Sequence, residues 1–261
     1  MTQPPSLRPT HTLLGIQSLV VILVSINRLS SLTTGYVAPN EFLRWVDFNN
    51  MLILPLISTV AFYLLLKQME SNFQPPDVPI GTTPNLQHST FNRLNRPALA
   101  LNLVFIIGIY LLAASYGDHE VTNYLHHRFC IPDDGAVAGQ PSPLCRIVIF
   151  NDDEFSHWVF FTGFVLINVG VMLYQLVFPH QEKLSGGDKA LLILNGVFIG
   201  TGIFANLAFE VIGLDLYVVA LLAALSFYLL WRRGAQPLFV YYTTAYGLGL
   251  VATFLYKVLN P

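Results

Sequence analysis

Apolar residues fall along this chain in seven long stretches, separated by breaks that are polar or carry glycine or proline. The stretches cover about residues 12–32, 46–66, 98–116, 157–178, 190–209, 214–231 and 238–256. A helix that crosses a bilayer needs about 20 mostly apolar residues. The pattern therefore predicts an all-α fold: a polytopic integral membrane bundle of about seven transmembrane helices, with residues 1–261 forming a single domain. The first stretch is the weakest, because Gln17, Ser25, Asn27 and Arg28 interrupt it. Arg8 ahead of an apolar core also suits a signal peptide, but no small-residue cleavage site follows, so the segment reads as a retained first helix. Pro55 is expected to kink the second helix. Glu210 and Asp215 bracket Gly213 and place that break at the membrane surface, since two acids are costly in hydrocarbon.

The breaks set the expected topology. Residues 71–96 carry Pro75, Pro76, Pro79, Gly81 and Pro84 without an apolar period and read as a flexible linker. With the N-terminus in the cytoplasm, Arg8, Lys67, Arg93, Arg96, Lys183, Lys189, Arg232 and Arg233 lie inside. Arg28, Arg44, Arg128, Arg146 and Lys257 then lie outside with the C-terminus. The acids divide more sharply: Glu70, Asp77, Glu182 and Asp188 inside, and the other eleven of 15 outside. The segment 117–151 becomes an outer loop. It holds both cysteines, Cys130 and Cys145, which are expected to form a disulfide in an oxidising compartment. The sequence does not say which cellular membrane is involved.

Composition agrees with the pattern. The chain is 54% hydrophobic and 11% charged, against about 25% charged in soluble domains. Its net charge of −2 and lack of a basic tract with interleaved aromatics exclude nucleic acid as a partner.

The candidate chemistry is one-sided. Four of the seven histidines, His119, His126, His127 and His157, lie in one stretch beginning YGDHEVTNYLHHRFC and resuming as FNDDEFSHWVFF. If the third helix continues past the membrane surface, His119, Asn123 and His126 share a face, with Glu120 and His127 on the neighbouring stripe. Glu154 and His157 stand at i, i+3 on the fourth helix, the spacing of a carboxylate–imidazole ligand pair. The expected ligands of a divalent metal, zinc or iron, are His119, Glu120, His126, His127, Glu154 and His157. Asp153, Glu154 or Glu210 would supply the catalytic base, and Asp47, Asn206 and Asp215 reach the same level. A plainer reading makes Asn151 an N-cap and Asp152, Asp153 and Glu154 first-turn acids favoured by the helix dipole.

Three functions fit, in this order. The first is a membrane-embedded, metal-dependent enzyme, a hydrolase or an oxidase, acting on a membrane lipid at the outer interface. The second is a non-enzymatic assembly or sensor factor that docks a membrane-protein partner through the acidic, disulfide-closed outer loop. The third is a transporter, disfavoured because the middles of the stretches lack an acid or lysine. The last stretch contains no histidine, which separates the chain from the ceramidase and adiponectin-receptor hydrolases, whose last helix carries a His-x-x-x-His pair.

Overall fold

The computed structural model describes residues 7–29, 35–38, 43–73, 84–130, 142–207 and 213–259, with the backbone alone at 25, 27–29, 84–95 and 206. Seven helices account for nearly all of these residues: α1 (Arg8–Leu29), α2 (Trp45–Asn72), α3 (Pro84–Leu125), α4 (Pro143–Val177), α5 (Gly186–Leu207), α6 (Leu214–Arg233) and α7 (Pro237–Leu259). A π-helical turn, His126–Cys130, extends α3. Six of the helices, α2 to α7, are long and apolar enough to cross a bilayer, which makes the chain a multi-pass membrane protein. Helix α3 illustrates why lipid is the solvent. Leu99, Leu103, Ile106 and Tyr110 form one stripe, each more than half exposed, an apolar face that water would not tolerate at this length.

Helix α1 is interrupted by polar residues, among them Gln17 and Ser18. Gln17 and Ser18 are buried and face neighbouring helices. Gln17 donates to the Ser58 carbonyl at 2.8 Å and accepts from the Ser58 hydroxyl at 2.6 Å, joining α1 to α2. Ser18 donates to the Asn195 side chain of α5 at 2.9 Å. Such interhelical bonds contribute about 0.6 kcal/mol each on average. The remaining contacts close a ring in the order α1, α2, α3, α4, α6, α7, α5, with α4 also touching α2 and α7. Tyr174, Tyr241 and Tyr246 fill its centre, each at most 2% exposed. The aromatic run of the last helix therefore packs in the core. Gly234, at φ +78°, ends α6 in a conformation that favours glycine, and Pro237 opens α7 three residues later.

Two sequence expectations are corrected. The linker assigned to 71–96 shrinks at both ends, since α2 runs through Asn72 and α3 begins at Pro84. Proline suits a first helical position, where no intrahelical N–H bond is lost. The outer loop assigned to 117–151 is mostly helix, because α3 and its π turn reach Cys130 and α4 starts at Pro143. Ser142 caps that start by accepting from the Cys145 amide at 3.2 Å. The π turn Asn49–Ile53, which contains both asparagines of that segment, directly precedes Pro55 in α2. The shift in hydrogen bonding thus coincides with the residue that cannot donate to the ladder.

Close glycine packing sets the α3–α4 register. A Cβ on Gly163 would stand 2.7 Å from the Leu112 nitrogen and 2.8 Å from the Gly108 carbonyl oxygen. The two helices therefore cross backbone to backbone. Gly196 and Gly200 play the same part for α5 against α7, where added Cβ atoms would meet the Tyr241 and Ala245 carbonyls at 2.8 and 2.9 Å. Gly163→Ala should cost about 1–3 kcal/mol, as overpacking does, whereas Gly117→Ala, with nothing within 4 Å of its Cβ, should be neutral or stabilising. Thermal unfolding of the purified variants checks this, and equal melting temperatures for Gly163→Ala and wild type would contradict it.

Candidate metal centre at the α3–α4 junction

From the glycine crossing, the antiparallel register runs on toward the cysteine end of the bundle. Ser115 of α3 donates to the Ser156 carbonyl of α4 at 2.8 Å, and Ser156 donates to the Asp152 carbonyl at 2.8 Å. One turn further, Asp152 points inward at 3% exposure and faces α3. The His126 Nδ1 lies 2.8 Å from Asp152 Oδ2, the Asn123 amide donates to the same oxygen at 3.4 Å, and His119 Nδ1 stands 3.8 Å from Asp152 Oδ1. His126 Nδ1 is also 3.8 Å from Asp153 Oδ1. A buried carboxylate costs several kcal/mol unless paired and hydrogen-bonded. Here Oδ2 is satisfied, whereas Oδ1 has no hydrogen-bond partner among the described residues.

Ligand atoms of His126, Asp152 and Asp153 all lie within 4.8 Å of one another, close enough to hold one metal ion. Zinc bonds of about 2.0–2.2 Å in tetrahedral geometry separate ligand atoms by about 3.3–3.5 Å. The separations of 2.8 and 3.8 Å around His126 and Asp152 bracket that span. The donor set, imidazole with carboxylate, suits zinc or iron. All three residues sit in π-helical turns, His126–Cys130 and Asn151–Phe155, irregularities that occur frequently at functional sites.

Compared with protein-family models, curated proteins and solved structures, the chain matches none. Its geometry must speak for itself.

The sequence-derived candidates separate into groups. His119 and His126 converge on Asp152. His157 stacks on His119, with ring centroids 5.2 Å apart, and the exposed His127 stacks on His126 at the same distance. Glu154 is exposed, and both it and His157 lie outside the three-residue group. Glu120 lies within electrostatic range of Arg44. Asp47 is occupied by Arg44, which donates to it from Nε at 3.0 Å and from Nη2 at 3.1 Å. That hydrogen-bonded carboxylate holds the Arg44 guanidinium above its ordinary pKa. Asp215 accepts from the neighbouring Leu216 amide at 2.8 Å. Glu210 and the Asn206 side chain lie outside the described residues.

Asp152 is not among the expected ligands; the plainer reading makes it a first-turn acid behind an Asn151 N-cap. The helix starts eight residues earlier, and Asn151 instead donates to the Ile147 carbonyl one turn back. Asp118 was missed as well. It lies within electrostatic range of His119 and Asp152, and its buried Oδ2 has no hydrogen-bond partner among the described residues. A signal for Asp152 existed: Gly163, Ser156 and Asp152 fall on one helical face at spacings of seven and four.

The Cys130–Cys145 disulfide is formed, with Cα atoms 5.4 Å apart, and staples the ends of α3 and α4 beside this cluster. A loop of 15 residues closed in this way is worth about 3 kcal/mol in the chain-entropy account. Unfolding with and without reductant should show a loss of that order, matched by the Cys130→Ser/Cys145→Ser double variant. An unchanged midpoint would contradict it.

Proposed function

We propose that this chain is a metal-dependent hydrolase of a lipid-like substrate, working at the non-cytoplasmic end of its bundle. One observation carries the reading: a carboxylate that is 3% exposed keeps an oxygen without a hydrogen-bond partner among the described residues while two histidines face it. Leaving such a group unsatisfied is expensive, and a cation removes the expense. His126, Asp152 and Asp153 would hold the ion, with His119 approaching from the next turn of α3. A bound zinc or iron supplies Lewis acidity and lowers the pKa of water. Glu154, exposed beside the group, is left to accept a proton. The lipid-like substrate is supported by the exposed apolar faces that lead up to the site. The non-cytoplasmic placement is supported by the distribution of basic residues and by the disulfide.

The 2.8 Å His126–Asp152 contact favours one second reading, a metal-free acid–base pair in which Asp152 orients the ring and Nε2 meets the substrate.

Elemental analysis of detergent-purified protein separates the two. Wild type should carry about one zinc or iron per chain. The nearly isosteric Asp152→Asn and His126→Ala should lose at least about 90% of it, and the exposed His127→Ala should keep it. Wild-type protein that stays metal-free after incubation with zinc and iron would end the metal reading.

A further inference from the structure

A cation stands close to this site along the chain and is used by nothing described so far. Arg128 lies on the same π turn as His126. Its Nη1 donates to the Tyr124 hydroxyl at 2.7 Å and to the Tyr36 hydroxyl at 3.4 Å. Its guanidinium carbon stands 5.5 Å from the Tyr124 ring centroid and 5.9 Å from that of Phe129. The group is thus held in place by two hydroxyls and two aromatic rings. No carboxylate lies within 4.0 Å of it among the described residues.

Arg44 makes the contrast. Tyr36 and Arg44 are antiparallel bridge partners just ahead of α2. Two guanidinium groups are therefore gathered around one tyrosine, but Arg44 is spent on Asp47 through Nε and Nη2. Arg128 is not. A guanidinium has five N–H donors in a fixed fork that matches two oxygens of a phosphate. Phe129, Leu144, Ile147 and Phe150, at the same ends of α3 and α4, are 61, 70, 61 and 44% exposed. An apolar belt of this kind belongs at a lipid interface rather than against a soluble acidic protein.

We infer that Arg128, positioned by Tyr124 and Tyr36, recognises the phosphate of an anionic lipid headgroup. The inference rests on the lipid-hydrolase reading above and names its substrate class.

The test is calorimetric titration of the full chain in nanodiscs of phosphatidylcholine. The titrants are short-chain phosphatidic acid, short-chain phosphatidylcholine and inorganic phosphate. Wild type should prefer the phosphatidic acid. Arg128→Gln should bind it about ten- to a hundredfold more weakly, the loss expected for a charge-assisted hydrogen bond. Arg128→Lys keeps the charge without the fork and should fall between the two. Tyr36→Phe should weaken binding about two- to threefold while leaving the guanidinium present. Equal affinity in wild type and Arg128→Gln, with both holding the wild-type melting temperature, would overturn the inference. So would phosphatidylcholine binding as well as phosphatidic acid, or inorganic phosphate matching it, which would make the site one for free phosphate. Metal content of the same samples keeps the two readings apart. An Arg128-dependent preference in wild type that stays metal-free would sink the metal-dependent hydrolase and leave headgroup recognition standing.

Discussion

Helices α3 and α4 meet where neither has a side chain, and a Cβ at residue 163 would lie 2.7 Å from the Leu112 nitrogen. That crossing sets the antiparallel register of the pair. Because the register holds, Ser115 reaches the Ser156 carbonyl, and His119 and His126 arrive opposite Asp152. The disulfide pins the same two helices at their ends. A site built on two long helices fixed at both ends of their contact is held more rigidly than one built on loops. The π turns then act as fine adjustment, since each inserts a residue and turns the side chains beyond it.

The energetics explain why the site tolerates a buried acid. A buried carboxylate persists where the helices that enclose it supply charge partners and hydrogen bonds. Asp152 has partners for one oxygen, His126 and Asn123. Some polar residues elsewhere in the bundle are paired through both donor and acceptor atoms. Gln17 is paired with Ser58, and Gln175 donates to the Phe178 carbonyl while accepting from the Leu238 amide. Asp118 Oδ2, Tyr242 Oη and Thr243 Oγ1 are also buried without a hydrogen-bond partner among the described residues; Asp152 differs in having two histidines within 4.0 Å of its carboxylate.

Much of the fold was legible in residue pattern alone. Apolar length located the seven helices, the cysteine pair was read as bonded, and helical spacing put His119 and His126 on one face. What escaped has a physical cause in each case. Polar residues at 117–128 and 143–155 lowered the hydropathy, so protruding helix ends looked like loop. Asn151 has the chemistry of a cap, and only the start of α4 at Pro143 shows that it sits mid-helix. The π turn Asn151–Phe155 alters the residue spacing there, which a regular helical count does not foresee. The Gly108–Gly163 contact joins residues far apart in sequence, and neither glycine announces its partner.

X-ray absorption spectroscopy of purified protein loaded with one equivalent of zinc bears most directly on the central claim, that Asp152 is the buried anchor of a metal centre. Coordination by this cluster requires imidazole nitrogen and carboxylate oxygen at about 2.0–2.2 Å in wild type. The imidazole signature should be lost or sharply reduced in Asp152→Asn. A shell of water oxygens alone, or a spectrum identical in wild type and Asp152→Asn, would contradict it.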